Sequence, residues 1–281
     1  MSKKKTSQEV EELRLVTVVI PLYTLNLNVN ELLSLRQCFS VLGNHDIAIV
    51  KPHSLDVSAL PELIGGNPKF RVEEFDDSYF AGREGYNRMM LSAEFYSRFL
   101  TSRYIFIHQT DVYVFRDELE RWCLKGYDYV GAPWLPAIGD VKGFNMLRRF
   151  VYDCRRLNGR LTPGFHSINL KYKVGNGGCS LRHVEHTHHA ACILATSIAE
   201  VAAYSSRTEN FEDVFWSVRV NELSPGAFRI PPYTEAVYFS VESHPDMAMR
   251  LTNGLLPLAT HAFFRSRNIA FWKNHSPNLE G

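Results

Sequence analysis

The chain has 281 residues, with 31 Lys+Arg against 30 Asp+Glu, 45% hydrophobic and 22% charged residues, and a formal net charge of +1. That composition excludes a disordered chain and a collagen-like repeat, and the length can bury one large α/β core or two small ones. A charge balance this close to zero gives no general reason to expect a nucleic-acid partner.

The five cysteines (Cys38, Cys123, Cys154, Cys179, Cys192) are scattered, with no C-x-x-C pair. An odd, dispersed set argues for a reducing compartment over a disulfide framework. Residues 1–12 carry three lysines and then acids, with no apolar segment behind them, so they do not read as a secretory signal. The longest apolar runs, such as residues 16–22, are strand-length and well short of the ~20 residues that span a bilayer. The expectation is a cytoplasmic protein.

Residues 15–22 (LVTVVIPL) form a near-continuous β-branched run, the pattern of a parallel strand buried on both faces. A helix should follow, capped at Asn30, with Leu32, Leu33, Leu35, Phe39 and Leu42 at helical spacing and Gly43 ending it. Residues 45–50 (HDIAIV) and 70–75 predict two more strands, the second at an edge, after the turn Gly65-Gly66-Asn67-Pro68. Residues 86–100 predict one helix, 104–108 (YIFIH) a buried strand, 118–124 a short helix and 128–132 (DYVGA) another strand. From 133 to 173 the pattern loosens around a possible helix at 146–155. Residues 142–173 hold eight basic side chains and one acid, a local balance of +7. Beyond a glycine turn at 175–178 come a long helix near 184–204, a short helix after Asn210 and a strand-rich stretch to about His261. Strands alternating with helices predict an α/β domain with an open, mostly parallel sheet flanked by helices. We assign it to residues 14–265, with 134–172 as a basic loop or insertion, 1–13 as a flexible N-terminal segment and 266–281 as a C-terminal tail.

In such a sheet ligands bind beyond the carboxyl ends of the strands. The first strand is followed by neither G-x-G-x-x-G nor G-x-x-x-x-G-K-[ST], and there is no G-x-S-x-G, so dinucleotide, P-loop and α/β-hydrolase chemistry lack support. Four other constellations carry chemistry. Gln109-Thr110-Asp111 leaves the strand 104–108. Asp111 could hold Mg²⁺ or Mn²⁺, and through it a diphosphate, or merely cap a turn. In Val174-Gly175-Asn176-Gly177-Gly178-Cys179-Ser180 the paired glycines let backbone approach a ligand, although tight turns use them too. Glu212-Asp213 opens a short helix. One of them could deprotonate an acceptor hydroxyl, and plain dipole-favourable placement is the simpler reading. His261 follows an apolar segment and is isolated, as structural histidines often are.

The ordered set of blocks, VTVVIP (16–21), HQTDVYVF (108–115), DYVGAPW (128–134), NGGCSLR (176–182), EDVFW (212–216) and THAF (260–263), resembles the nucleotide-sugar glycosyltransferases of the GT-A (Rossmann-like) fold. It is most similar to an uncharacterised bacterial glycosyltransferase-like family with Q-T-D, N-G-G-x-S-L-R and E-D-V-F blocks. The resemblance implies transfer of a sugar, UDP-linked, to a hydroxyl of a glycan or lipid-linked acceptor, in bacterial surface polysaccharide or glycoconjugate synthesis. It puts the family's metal-binding D-x-D on Gln109-Thr110-Asp111, with Gln in place of the first Asp, and gives a divalent cation (Mn²⁺ or Mg²⁺) to Asp111 and His261. Asn176, Gly177, Gly178 and Ser180 match the sugar and acceptor loop. Asp213, with Glu212 beside it, matches the base of inverting members. Pro21 and Tyr23 fall where base and ribose rest, Arg83, Asn87 and Arg88 fall on a helix within reach of the donor, and Gln109 and Asp111 reach it from the end of the strand 104–108.

Rival readings stay open. His183, His186, His188 and His189, near Cys179 and Cys192, suggest zinc, but paired thiolates are missing and a solvated helix end is simpler. The basic stretch 142–173 reads as a solvated face, or as an acceptor loop that docks peripherally at the inner face of a membrane. No RNA-binding aromatic motif accompanies it. A non-catalytic nucleotide-sugar or glycan-binding module of the same fold is the main alternative, with Gln109 its best argument. A nucleotidyltransferase ranks lower, because Pro21-Leu22-Tyr23-Thr24 is not a Gly-rich, Arg-bearing loop.

Overall fold

A computed structural model describes residues 13–138, 170–202 and 211–275. The β-branched run becomes β1 (Arg14–Pro21), and its buried side chains alternate between the two faces of a sheet. α1 (Val29–Leu42) follows. Its N-cap is Asn28, not the expected Asn30. The Asn28 carboxamide accepts from the Asn30 and Glu31 N–H groups, and Glu31 returns a bond to the Asn28 N–H. That reciprocal box needs Glu three residues after the cap, which Asn28 has. Gly43 ends the helix as expected.

β2 (Asp46–Pro52), α2 (Leu60–Ile64) and β3 (Arg71–Phe75) complete one wing of the sheet. The predicted helix over 86–100 is two helices, α3 (Gly82–Leu91) and α4 (Ala93–Ser97). The break is at Ser92, whose extended backbone lets its hydroxyl cap α4 through the Phe95 N–H. β4 (Ser102–His108), β5 (Val112–Val114), α5 (Leu119–Leu124), β6 (Tyr129–Gly131) and β7 (Cys179–His183) come next. The single long helix expected near 184–204 is also divided, into α6 (Val184–Ile193) and α7 (Ala195–Ala202).

α8 (Glu212–Val214) runs through a π turn (Phe215–Arg219) into α9 (Val220–Leu223). The strand-rich stretch expected after it holds more helix than strand, and is otherwise irregular. α10 (Tyr233–Ala236) and α11 (Pro245–Leu251) alternate with two very short strands, β8 (Ser240–Val241) and β9 (Ala259–His261). Pro245 at the first helical position suits a helix start better than a strand. The expected tail contains α12 (Ser266–Lys273), whose Trp272 is fully buried against Phe115, so folded structure runs past residue 265. Residues 1–12, the expected helix at 146–155 and most of the basic stretch 142–173 lie outside the described residues.

The main sheet has the order β3-β2-β1-β4-β7-β6. β3, β2, β1 and β4 are parallel, and β7 is antiparallel to both of its neighbours. This is the α/β, mostly parallel, helix-flanked sheet expected. One face packs Val18, Ile20, Ile49 and Phe106 on α1 and Trp122. The other packs Val19, Val50, Ile105 and Ile107 on α3, α4 and Trp216. A second sheet, β5-β9-β8, sits over a smaller core of Tyr113, Phe263 and Trp272. No helix among the described residues is long and apolar enough to cross a membrane. Cys38, Cys123, Cys179 and Cys192 are free thiols.

Candidate active site

The reversal of β7 sets the site. Its first residue, Cys179, pairs with His108 at the end of β4, and Ser180 pairs with Gly131 at the end of β6. The glycine loop before β7 is thereby delivered to the carboxyl edge of the sheet, where the Gln109-Thr110-Asp111 turn emerges. The Gln109 N–H donates to the Gly178 carbonyl at 2.9 Å and fixes the two loops together. α1 holds the turn from below: Thr110 Oγ1 donates to Glu31 Oε1 at 3.3 Å, and Gln37 Nε2 donates to the Val114 carbonyl at 2.8 Å.

His261 arrives by strand pairing. β9 lies antiparallel to β5 with His261 opposite Val112, so His261 and Asp111 become neighbours although 150 residues separate them. His261 Nε2 is 2.9 Å from Asp111 Oδ1 and 3.3 Å from Gln109 Oε1, and Nδ1 is 3.6 Å from Glu242 Oε1. Ala262 follows with φ of 52°, a left-handed backbone that costs energy for any residue with a Cβ. The Phe263 N–H then donates to the Asp111 carbonyl, closing the corner.

The charges in this corner are coupled. Burial alone would raise the Asp111 carboxyl, but the charge and hydrogen bond of His261, with Arg265 nearby, hold it below the usual range. Burial alone would lower His261, yet Asp111 and Glu242 push it up to about 10. Glu242 is held low by the same imidazole, against the effect of its own burial. A protonated His261 between two carboxylates is what a metal-free corner of this composition should contain, and a cation must displace that proton to bind.

The donor set fits a divalent cation. Asp111 and Gln109 offer oxygens and His261 a nitrogen, and all three face one another. Glu242 on the far imidazole nitrogen is placed as a carboxylate that orients a ligating histidine. Gly178 permits their close approach to the loop: a Cβ there would stand 2.4 Å from both Gln109 Oε1 and His261 Nε2.

On the other side of the loop, Gly177 faces Glu212. A Cβ on Gly177 would meet Glu212 Oε1 at 1.7 Å. Glu212 is buried and pairs with the fully buried Arg182, Oε2 to Nη1 at 2.8 Å. Arg182 also donates to Tyr96 OH and Ser180 Oγ, and Ser180 Oγ donates to the Gly177 carbonyl. The neighbouring Asp213 forms no ion pair among the described residues. Burial first, and the Glu212 charge second, push its carboxyl up to about 7. Asn176 sits at φ of 68°, with its buried Oδ1 lacking a hydrogen-bond partner among the described residues. An open cavity of about 780 Å³ borders Glu242, walled by His244, Arg265 and Asn268.

The structure thus brings Gln109, Asp111, Gly178 and His261 into one cluster, and Gly177, Ser180 and Glu212 into an adjoining one. Asn87 reaches the second cluster, where its Oδ1 accepts from the Glu212 N–H at 3.3 Å. Arg83 stacks over the Phe211 ring at 5.2 Å, and Arg88 donates to the Ser78 carbonyl. Pro21 ends β1 at the same sheet edge, with Tyr23 exposed just beyond. Sequence reasoning gave no role to Glu242, an acid with no motif around it. Arg182 stood in a quoted block, but its burial was not readable there.

A family described as Protein of unknown function (DUF5672) matches residues 69–261, about two thirds of the chain. The chain belongs to the DUF5672 family. The matched stretch contains the Gln109 turn, the glycine loop, Glu212-Asp213 and His261, and begins after β1 and β2. No curated protein matches the chain. Among solved structures, the galactosyltransferase LgtC, in complex with donor and acceptor sugar analogues, aligns with a TM-score of 0.56 at 14% identity, over 94% of each chain. Mouse xyloside xylosyltransferase 1 in its apo form aligns with a TM-score of 0.53 at 11% identity, over 90% of this chain and 98% of its own. At such low identity the likeness concerns the fold. This DUF5672 member has the GT-A glycosyltransferase fold.

Proposed function

We propose that the protein is a glycosyltransferase that moves a sugar from a nucleoside-diphosphate donor, UDP-linked, to a hydroxyl of a glycan or lipid-linked acceptor. The observation that carries this reading is the convergence of Gln109 and Asp111 on His261, close over Gly178 at the carboxyl edge of the sheet. The fold likeness supports it. Surface polysaccharide or glycoconjugate assembly in a bacterium would use such an activity.

Asp111 and His261, with Gln109, would hold Mn²⁺ or Mg²⁺, which supplies charge neutralisation for the departing diphosphate. Glu242 orients His261. Asp213 takes the acceptor proton, a task favoured by a carboxyl near pH 7. Glu212 serves as the counter-ion of Arg182 and keeps the glycine loop in place. Asn176, left-handed and unpartnered, presents its carboxamide to the sugar.

The test is titration of nucleoside diphosphates with and without Mn²⁺, followed by UDP-sugar hydrolysis without acceptor. Metal-dependent binding that is lost in Asp111→Ala and kept in Asp213→Ala, with turnover lost in both, is the expected result. Absence of nucleotide binding overturns the reading. Binding without turnover on any donor would favour the non-catalytic module, for which Gln109 in place of a carboxylate is the specific argument.

A further inference from the structure

The opposite end of the sheet holds a second arrangement. β7 leaves the carboxyl edge at Cys179 and ends at His183, opposite Tyr104 near the start of β4. Four residue steps at ~3.3 Å each place these ends roughly 13 Å apart. Asp128, the residue before β6, meets the end of β7 there. Its carbonyl accepts from the His183 N–H at 2.9 Å, and its own N–H donates to the Arg229 carbonyl at 2.8 Å. Carboxylate Oδ2 accepts from the Arg229 N–H at 2.7 Å, and Oδ1 is bonded to His186 Nδ1. His183 caps α6, its Nδ1 accepting from the His186 N–H. The two imidazoles lie side by side at a tilt of 31°, with centroids 4.0 Å apart. One donor atom each from Asp128, His183 and His186 therefore falls within 4.8 Å of the other two, a grouping found among the described residues.

We propose that Asp128, His183 and His186 bind a divalent transition-metal ion of the Zn²⁺ type that fastens the start of β6 to the junction of β7 and α6. Two imidazole nitrogens and one carboxylate oxygen favour Zn²⁺ over Mg²⁺ or Ca²⁺, which prefer all-oxygen shells. The carboxylate is aimed before any ion arrives. Asp128 is buried, and the Arg229 N–H holds its second oxygen, as outer-shell partners do in metal sites. His186 is 56% exposed at its side chain, which provides an entry path and leaves room for water at a fourth position. A plain helix-end contact would need one histidine for one aspartate, whereas here a second imidazole lies 4.0 Å from the first and offers a further donor atom. The H-x-x-H spacing put both rings on one turn. The third ligand came from a strand 55 residues earlier, so the sequence showed two-thirds of the set.

The site is remote from the transfer centre and independent of the proposed activity. The experiment uses full-length protein stripped with a chelator, then titrated with ZnCl₂ by calorimetry and followed by thermal unfolding. The cation site proposed at Asp111 and His261 would also take Zn²⁺, so the titration uses the Asp111→Ala/His261→Ala pair. One equivalent should bind to it and raise the thermal midpoint, because a ligand specific to the folded state stabilises it. His186→Ala, at an exposed position, should weaken binding by about tenfold or more and cancel the midpoint rise. Asp128→Asn keeps an acceptor for the Arg229 N–H while removing the charge, and should do the same. His186→Ala and Asp128→Asn are read in the same Asp111→Ala/His261→Ala background, where Co²⁺ loading should give visible d–d absorption that both lose. The proposal is overturned by absence of saturable binding in that background, or by binding there that survives His186→Ala. Loss in His188→Ala also overturns it, since the exposed His188–Cys192 contact would then be the binder.

Discussion

Arg182 and Glu212, 30 residues apart in sequence, meet in a two-pronged ion pair closed off from solvent, with Nη1 2.8 Å from Oε2 and Nη2 3.0 Å from Oε1. The pair joins β7 to α8 across the glycine loop, and the Gly177 carbonyl lies 3.4 Å from the same guanidinium. Removing one partner of such a pair leaves a buried charge unneutralised, which costs about 3–5 kcal/mol. Glu212→Gln should therefore lower the urea midpoint strongly with little change in slope. Glu212→Asp, which keeps the charge, should recover part of the loss. A Glu212→Gln variant as stable as the parent would show that Arg182 is neutralised by something else.

Asp213 makes a prediction of opposite sign. Its carboxyl is raised from the ordinary carboxylate value to about 7, by burial and then by the Glu212 charge. The folded state thus keeps a proton that the unfolded chain releases from about pH 4 upward. Stability contributed by this group is complete at low pH and declines as pH rises toward 7. Asp213→Asn should remove that slope and make the protein more stable than the parent at pH 8. In the proposed reaction the same group must be ionised, so turnover should climb through about pH 7 and be abolished in Asp213→Asn. Urea unfolding at pH 5 and pH 8, with a pH–rate profile, checks both halves. A parent profile flat through this range would remove Asp213 from the role of base.

The parallel wing of the sheet was legible because doubly buried strands write near-continuous runs of β-branched and aromatic residues, as 15–22 and 104–108 do. Helix breaks were not, because one side chain decides them. Ser92 ends α3 by capping α4, and nothing in the apolar spacing of 86–100 records that. Asp111, His261 and the glycine loop were visible as residue types in sequence order. Their meeting depends on β9 pairing with β5, a three-residue ladder too short to leave a periodic signal. Glu242 and Asp128 were invisible for the same reason: each gains its meaning from a partner brought in by tertiary pairing.

Gly178 tests the space of the transfer centre without touching a charge. An added methyl would stand 2.4 Å from Gln109 Oε1 and His261 Nε2, far inside contact distance. The side chains around it must move, and they are the ones assigned to the cation. Gly178→Ala should weaken Mn²⁺-dependent nucleotide binding by an order of magnitude or more while far-ultraviolet circular dichroism stays unchanged. Full binding in the folded variant would mean that the cation, if present, sits elsewhere.

Glu242 separates orientation from ligation. It approaches His261 Nδ1 at 3.6 Å, while Nε2 faces Asp111, so it would not itself touch the cation. Carboxylates in that position change metal affinity by about 10–100-fold when replaced. Glu242→Gln should therefore weaken Mn²⁺-dependent nucleotide binding by a factor in that range and leave a saturable remainder. Asp111→Asn, which removes a ligand charge, should abolish it. Raising Mn²⁺ should restore turnover in Glu242→Gln and fail to do so in Asp111→Asn. Equal losses in the two variants, with no rescue by metal, would place Glu242 among the ligands and redraw the site around three charged groups.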